Sequence, residues 1–185
     1  MNDYAIVIYF DEESEAAIRK IQEEVANATQ NMYMVQNKVP PHITILYFYR
    51  DHHEDLLDDI KSFGKELIGL EIPISSIGIF NTNPAVVNIV PVMTNGLKKA
   101  NADIHEKLSD RITEFNPYYI EPNWVPHCAV GVKLSEEELR KAIDLTCKKF
   151  VPRVCKVRAV TLVKCNLYGE VLVCDSLMNF TSEQL

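Results

Sequence analysis

The stretch Pro-Pro-His-Ile-Thr at residues 40–44 recurs in altered form as Val-Pro-His-Cys-Ala at residues 125–129. In each copy a proline precedes a histidine, and the histidine opens an apolar run that is typical of a β-strand. Alternate side chains of a strand share a face, so we expect His42 to share a face with Thr44 and His127 to share one with Ala129. Two imidazoles on two similar strands that met across a cleft would provide paired acid–base catalysis.

The elements around these two strands follow the order β-α-β-α-β-β-α-β-α-β-β. Hydrophobic periodicity and turn residues predict strands at 4–10, 42–49, 72–80, 86–92, 127–134, 155–165 and 170–180. They predict helices from Asp11 or Ser14 to about 27–31, and at 56–67, 95–114 and 135–150. The run of helix, Pro-His strand, helix and two strands occurs twice, which indicates a weak internal duplication. We therefore predict an α+β fold of two pseudo-symmetric lobes, each a mostly antiparallel sheet with helices outside, around a central cleft. Residues 1–185 would form this single two-lobed domain.

Composition places the chain among ordinary globular proteins. It is 47% apolar and 24% charged with a net charge of −7, which argues against coating long nucleic-acid duplexes through phosphate contacts. Neither a membrane span nor a signal peptide is indicated. The five cysteines show no Cys-x-x-Cys spacing, so we expect small buried hydrophobes in a reducing cytoplasm and no zinc site.

A basic stretch lies in the acidic chain at residues 140–165, where Asp144 is the single acidic residue among eight lysines and arginines. A patch of this kind can attract a small anionic ligand. It can equally be an ordinary solvated face, which is the commoner arrangement. The sequence leaves both interpretations open.

With the two histidine strands in view, the chain resembles the two-histidine (2H) phosphoesterase superfamily, which includes the 2′–5′ RNA ligase-like proteins and cyclic phosphodiesterases. The mark of that family is a pair of His-x-Thr/Ser motifs, each often preceded by proline, on strands of two related lobes. The first motif is intact here as His42-Ile43-Thr44. The second keeps Pro126-His127 but carries Ala129 where threonine or serine is expected.

The resemblance implies metal-free and cofactor-free chemistry on a phosphodiester, such as a ribose 2′,3′-cyclic phosphate or a 2′–5′ linkage. The partner would be a small RNA or nucleotide. His42 and His127 would be the catalytic pair, one taking a proton from the attacking oxygen and the other giving one to the leaving oxygen. The hydroxyl of Thr44 would donate to a phosphate oxygen, whereas the methyl group of Ala129 cannot. Lys133, a backbone N–H or water would then supply the missing contact.

Several other residues are candidates for substrate binding. Tyr118, Tyr119 and Trp124 precede the second motif, and Tyr168 lies near the tip of the last hairpin. Aromatic rings in such positions stack on nucleobases or cover an edge of the core. The remaining histidines, His52, His53 and His105, are expected on the surface. On an ideal strand Cys128 points away from the face of His127, so it is not expected to act as a nucleophile.

Three functions therefore remain open. The first is a phosphodiesterase or RNA ligase-like hydrolase with two catalytic histidines. The second is a non-catalytic module that binds nucleotides or RNA ends, which the altered second motif favours. The third is a metal-dependent hydrolase, which is disfavoured because no carboxylate has ligand spacing to either motif histidine. The sequence specifies neither the physiological substrate nor the direction of reaction, hydrolysis or ligation.

Overall fold

A computed structural model describes residues 1–168 and 171–184, with the side chains of 167, 168, 171–173 and 182 left out. The strands are β1 (Asn2–Phe10), β2 (His42–Arg50), β3 (Glu71–Phe80), β4 (Ala85–Pro91), β5 (Glu114–Phe115), β6 (Cys128–Leu134), β7 (Arg153–Tyr168) and β8 (Val171–Thr181). The helices are α1 (Glu12–Thr29), α2 (Tyr33–Gln36), α3 (Leu57–Leu67), α4 (Asn95–Leu108) and α5 (Glu136–Lys149). The predicted order of elements is confirmed, with the short α2 and β5 added.

The strands form one open antiparallel sheet in the order β5-β2-β1-β7-β3-β4-β6, with β8 also paired to β7. The long strand β7 joins two halves, because residues 157–165 pair with β1 and residues 153–156 pair with β3. Moving outward from this junction, the first half runs β7-β1-β2 and the second runs β3-β4-β6. Each half thus carries its histidine strand as the third strand. The predicted α+β fold of two related lobes is confirmed.

The helices cover one side of each half. α1 and α5 pack together over β6 and its neighbours, whereas α3 contacts β7 and β8 and α4 contacts β2. A hydrophobic cluster lies between sheet and helices, and it includes Ile6, Ile8, Ile43, Ile89 and Leu162, each with no exposed surface. The opposite side of the sheet is left for a cleft. In the described part of the chain, no helix is both long and apolar enough to cross a membrane.

Two helix starts follow local sequence signals. The Asp11 carboxylate accepts a hydrogen bond from the backbone N–H of Ser14 at 3.0 Å, which caps α1. At α5 the Ser135 hydroxyl and the Glu138 carboxylate complete a capping box. The predicted helix over 95–114 is too long, since α4 ends at Leu108. Its apolar period continues to the buried Ile112, but the N–H groups of Arg111 and Ile112 both bond to the Leu108 carbonyl and turn the chain.

Candidate active site

A cleft of about 480 Å³ lies between the two histidine strands. Both His42 and His127 line it, together with Thr44, Ala129 and Lys133. β2 and β6 belong to different halves of the sheet and contact each other there without pairing with each other. The structure therefore brings the two Pro-His motifs together, as the duplicated pattern predicted.

The two imidazoles are held in the same way. Nδ1 of His42 lies 2.7 Å from the carbonyl oxygen of Pro40, and Nδ1 of His127 lies 2.8 Å from that of Val125. A carbonyl oxygen can only accept, so each Nδ1 carries a proton and donates it. In a neutral ring this fixes Nε2 as the unprotonated nitrogen. Both rings thus offer the same nitrogen to chemistry in the cleft.

Burial shapes the titration of both rings. The pKa of His42 is lowered by burial, against which the hydrogen bond to Pro40 acts, and the nearby charge of His127 lowers it further. The pKa of His127 is also lowered by burial, opposed by its hydrogen bond to Val125. That the charge of one ring affects the other places the two imidazoles within electrostatic reach. The repulsion is mutual, so it disfavours a second proton on the pair once one ring is protonated.

Aromatic rings flank each histidine. The ring of Tyr9 meets His42 edge-on at a centroid distance of 6.3 Å, and that of Phe80 meets His127 edge-on at 4.7 Å. Tyr9 is opposite His42 in the β1–β2 register, which explains the contact. Burial raises the pKa of Tyr9 to about 12, so its hydroxyl stays protonated and can donate a hydrogen bond.

Two side chains, Trp124 and Asn101, donate hydrogen bonds to the backbone of the strand that carries the first motif. Trp124 is buried, at 5% exposure, and its indole N–H donates to the carbonyl of Thr44 at 3.2 Å. Asn101 of α4 donates to the carbonyls of Ile45, at 2.7 Å, and Tyr119, at 2.8 Å. The stacking role predicted for Trp124 must be corrected, because its ring packs in the core and does not line the cleft. It supports the strand that carries His42 and Thr44 instead.

Two stacked tyrosines, Tyr47 and Tyr119, form an aromatic wall of the cleft. Of the two, the sequence analysis named only Tyr119 as a candidate. Tyr119 stacks on Tyr47 at a centroid distance of 5.6 Å, and both rings line the cleft. Tyr118 is 74% exposed and lies outside it. Tyr47 was not predicted because simple alternation places it on the face opposite His42. A bulge in β2 shifts the register between the partners of Ile6 and Val7, and this places Tyr47 on the same face as His42. Tyr168 ends β7, but its side chain lies outside the described residues.

The second motif is built differently. The carbonyl of Ala129 accepts a hydrogen bond from the buried amide of Gln22 on α1 at 3.0 Å. Asn88 is opposite Ala129 in the β4–β6 register and is 1% exposed, and its amide nitrogen has no hydrogen-bond partner within the described residues. Cross-strand partners share a face of the sheet. A buried amide donor therefore lies beside the position where the second motif lacks its hydroxyl.

Two lysines give the cleft its charge. Lys38 and Lys133 both line it, and both have left-handed backbones with φ values of 51° and 54°. The ammonium group of Lys133 lies 4.6 Å from the ring centroid of Tyr33. The amide of Asn31 donates to the carbonyl of Lys133 at 3.0 Å and so supports this backbone. Among the described residues lining the cleft, none is acidic, so the cleft favours an anion.

Other candidates lie elsewhere. His52, His53 and His105 do not line the cleft, and two of them are less exposed than predicted, since His53 packs on Tyr4 and His105 on Phe115. In the basic stretch at residues 140–165, six of the eight lysines and arginines form ion pairs. Its pairs are Arg140 with Glu136, Lys141 with Glu137, Lys148 with Asp144, Lys149 with Glu24, Lys156 with Glu71, and Arg158 with Glu15. No three His, Cys, Asp or Glu side chains in residues 1–168 and 171–184 form a group that could hold a metal ion.

Two histidine strands that face one cleft between related halves of an antiparallel sheet define the class of two-histidine phosphoesterases. The chain belongs to the 2′-5′ RNA ligase superfamily, whose family model matches residues 10–167. Membership supports phosphoesterase activity. A search of curated proteins finds no match for this chain.

Solved structures show the same fold at low sequence identity. TT0787 of Thermus thermophilus is 18% identical with a TM-score of 0.57. E. coli LigT complexed with 3′-AMP is 13% identical with a TM-score of 0.62, and a structure described as a phosphoesterase is 13% identical with a TM-score of 0.60. In all three comparisons 97% of each chain is covered. At these identities the likeness establishes the fold alone.

Proposed function

We propose that this protein is a metal-independent phosphoesterase acting on RNA-type phosphodiesters, with a 2′,3′-cyclic phosphate or a 2′–5′ linkage as its substrate. His42 and His127 would be the general acid and base. The observation that carries this proposal is the matched pair of Nδ1–carbonyl hydrogen bonds, which leaves the same nitrogen of both rings for the cleft. The cytoplasmic location expected from the cysteine pattern stays a prediction.

The chemistry requires one neutral ring and one protonated ring. The neutral Nε2 takes a proton from the attacking water or hydroxyl as its oxygen bonds to phosphorus. The imidazolium gives its Nε2 proton to the leaving oxygen as the phosphorus–oxygen bond breaks. Repulsion between the two rings disfavours the doubly protonated pair, so one ring is neutral while the other is protonated. The orientation of the bound substrate then decides which ring is the base and which is the acid.

The phosphate would be held unevenly. The hydroxyl of Thr44 donates to one non-bridging oxygen, and a preorganised donor of this kind is worth about 2.7–4 kcal/mol in an oxyanion site. On the other side Ala129 offers no donor. Lys133, which lines the same cleft, supplies positive charge in its place, and Lys38 adds a second cation.

The nucleoside would lie on the wall formed by Tyr47 and Tyr119. Stacking of a base on an aromatic side chain contributes about 1–3 kcal/mol and tolerates any base. The partner is thus a small RNA or nucleotide with a phosphodiester or terminal phosphate. Structures of E. coli LigT with 3′-AMP, ATP and phosphate support a ligand of this class.

The test is hydrolysis of a 2′,3′-cyclic nucleotide in excess EDTA. We expect turnover to a nucleotide monophosphate at a rate that the chelator does not change. Activity that disappeared with the chelator and returned with a divalent metal would overturn the metal-independent mechanism and favour a metal-dependent hydrolase.

The second candidate is a module that binds nucleotides or RNA ends without turnover. The methyl group of Ala129, where the family carries a hydroxyl, favours it. Titration with a 2′- or 3′-phosphorylated nucleotide separates the two functions. Saturable binding without hydrolysis of any cyclic or 2′–5′-linked substrate would establish the binding module.

A further inference from the structure

Cys165 and Cys174 face each other in one wall of the cleft. They are direct partners in the β7–β8 register, and their sulfur atoms are 3.2 Å apart. Opposed residues of an antiparallel pair have Cα atoms about 4.5 or 5.5 Å apart, and both values lie within the range of about 4.4–6.8 Å that a disulfide spans. Both side chains line the same cleft as the two histidines.

We propose that Cys165 and Cys174 are a reversible dithiol–disulfide site, oxidised by a peroxide or by a small-molecule disulfide. The bond would form within the existing strand pairing and would require no rearrangement of the sheet. The part of the proposal that concerns substrate affinity rests on the function proposed above. The formation of the disulfide does not.

The other three cysteines are placed differently. Cys128 on β6 and Cys155 on β7 are fully buried, and Cys147 is exposed on α5. The expectation that all cysteines are buried is therefore wrong for Cys147 and Cys174. The second of these is exposed beside a buried partner, which is the arrangement of an attacking thiol with a resolving thiol.

The electrostatics of the pair fit that division of roles. The hydrogen bond with Cys165 lowers the pKa of Cys174, although burial acts against it. The same hydrogen bond raises the pKa of Cys165, and burial raises it further. Cys174 is also the exposed sulfur of the pair, whereas Cys165 is buried, so Cys174 is the thiol that an oxidant in solvent reaches.

The reaction balances with one oxidant molecule. The Cys174 thiolate attacks one oxygen of the peroxide, the O–O bond breaks, and a sulfenic acid and hydroxide result. The thiol of Cys165 then attacks the sulfenic sulfur, so that the S–S bond forms and water leaves. Two thiols and one hydrogen peroxide give one disulfide and two waters. A small-molecule disulfide reaches the same product by two exchange steps and releases two small thiols.

The pair is connected to the aromatic wall. Cys165 is opposite Asp3 in the β1–β7 register, and the carboxylate of Asp3 accepts a hydrogen bond from the hydroxyl of Tyr47 at 3.0 Å. Oxidation removes a thiol proton beside this carboxylate and draws the two sulfurs together. We therefore expect the disulfide to shift Tyr47 and weaken the stacking of the nucleoside, with little effect on the histidines.

The primary test is a thiol count and peptide map of the full chain before and after hydrogen peroxide or diamide treatment. Under mild oxidation we expect the five thiols to fall to three, with one intramolecular link that joins Cys165 to Cys174 and is reversed by dithiothreitol. Cys174→Ser should prevent the link, and Cys147→Ser is the matched control because it removes an exposed thiol outside the cleft. Five retained thiols, or a link through another cysteine, would overturn the proposal.

The second test measures the effect on the cleft. For the oxidised protein we expect KM for a cyclic nucleotide to rise several-fold with kcat nearly unchanged, and dithiothreitol to restore it. If the protein proves to be a binding module, the same several-fold change is expected in the Kd of a 3′-phosphorylated nucleotide. If the disulfide is mapped but neither KM nor Kd changes, the proposed effect of the disulfide on affinity is overturned. If the reduced protein shows no turnover at all, the proposed enzymatic function is overturned and the disulfide is not affected.

Discussion

The two histidine strands, β2 and β6, are alike at the histidine and different two residues later. On both, Nδ1 donates to the carbonyl of the residue two positions earlier, and an aromatic ring meets the imidazole edge-on. Two residues on, β2 offers the hydroxyl of Thr44 to the cleft and β6 offers a methyl group. The residues proposed for proton transfer are thus duplicated, whereas those proposed to hold the phosphate are not.

This difference suggests how a duplicated site diverges. Each histidine needs only a Pro-His turn and a strand, and both halves of the sheet provide them. The proposed phosphate contacts depend on single side chains, and another side chain that lines the cleft, such as Lys133, could replace one of them. The two strands should therefore be equivalent in proton transfer and unequal in binding, and substitutions on each can test both halves of that statement.

The largest expected effect is the loss of either histidine. Since removing a general acid or base costs about 10²- to 10⁴-fold, His42→Ala and His127→Ala should each reduce kcat by this amount. Steady-state hydrolysis of a 2′,3′-cyclic nucleotide is the measurement. The double variant should be scarcely worse than either single variant, because the two rings act as a unit.

His52→Ala is the matched control for both, because His52 is exposed and lies outside the cleft. It should retain the activity of the parent protein. If one histidine variant kept most of its activity while the other lost it, the two strands would not be equivalent in proton transfer.

The second largest effect is expected at Thr44. Thr44→Val keeps the shape of the side chain but removes the donor, so kcat/KM should fall by about 10²- to 10³-fold. Thr44→Ser should retain most of the activity. The hydrogen bond from Trp124 uses the backbone carbonyl of this residue, so thermal unfolding should be nearly unchanged in both variants. Equal activity of the Val and Ser variants would show that the hydroxyl holds no phosphate.

Much of this site could be predicted from the sequence, because its main features are local. The Pro-His turns and the alternation after them placed His42, His127 and Thr44 on one face. The wall of Tyr47 could not be predicted in full, since it depends on a bulge in β2 that reverses the alternation after Ile45. The position of Trp124 could not be predicted either. Tertiary contacts decide whether an aromatic ring near a motif packs into the core or faces a ligand. Here the Trp124 ring packs in the core and donates its N–H to the Thr44 carbonyl.

Adding the missing hydroxyl to β6 should strengthen the binding of the phosphate by that strand. Ala129→Thr adds a donor at the matching position, and we expect kcat/KM to rise about tenfold, the equivalent of one hydrogen bond to a charged group at about 1.5 kcal/mol. The neighbouring amide of Asn88 lies beside the new hydroxyl in the register and can donate to it, which would orient it. Kinetics on a cyclic nucleotide, with Ala129→Val as the isosteric control, measure the gain. No increase over the Val variant would show that the second strand needs no hydroxyl.

The pH dependence tests the pair of rings directly. Burial lowers the pKa of both His42 and His127, so the bell-shaped profile of kcat/KM should have its maximum on the acid side of the ordinary histidine value of about 6.5. The unfolded chain then binds protons at a higher pH than the folded one. The free energy of unfolding should therefore decrease as pH falls from about 6.5 toward the folded pKa values, and this slope should diminish in His42→Gln. A maximum above pH 6.5 would contradict the lowering of both histidine pKa values by burial.

The smallest effect is expected at Lys133 and requires a double-mutant cycle. If this lysine stands in for the hydroxyl that Ala129 lacks, Lys133→Met should raise KM several-fold in the parent protein and by less in the Ala129→Thr background. Residues that serve one phosphate show such coupling, whereas independent residues give additive free energies. Lys38→Met, which removes the other lysine of the cleft, should raise KM by the same factor in both backgrounds. Because the contact is one between charges, the effect of Lys133→Met should shrink at high salt. Additive effects of the two substitutions would mean that Lys133 attracts the substrate without replacing the missing donor, and the phosphate would then be held from the β2 side alone.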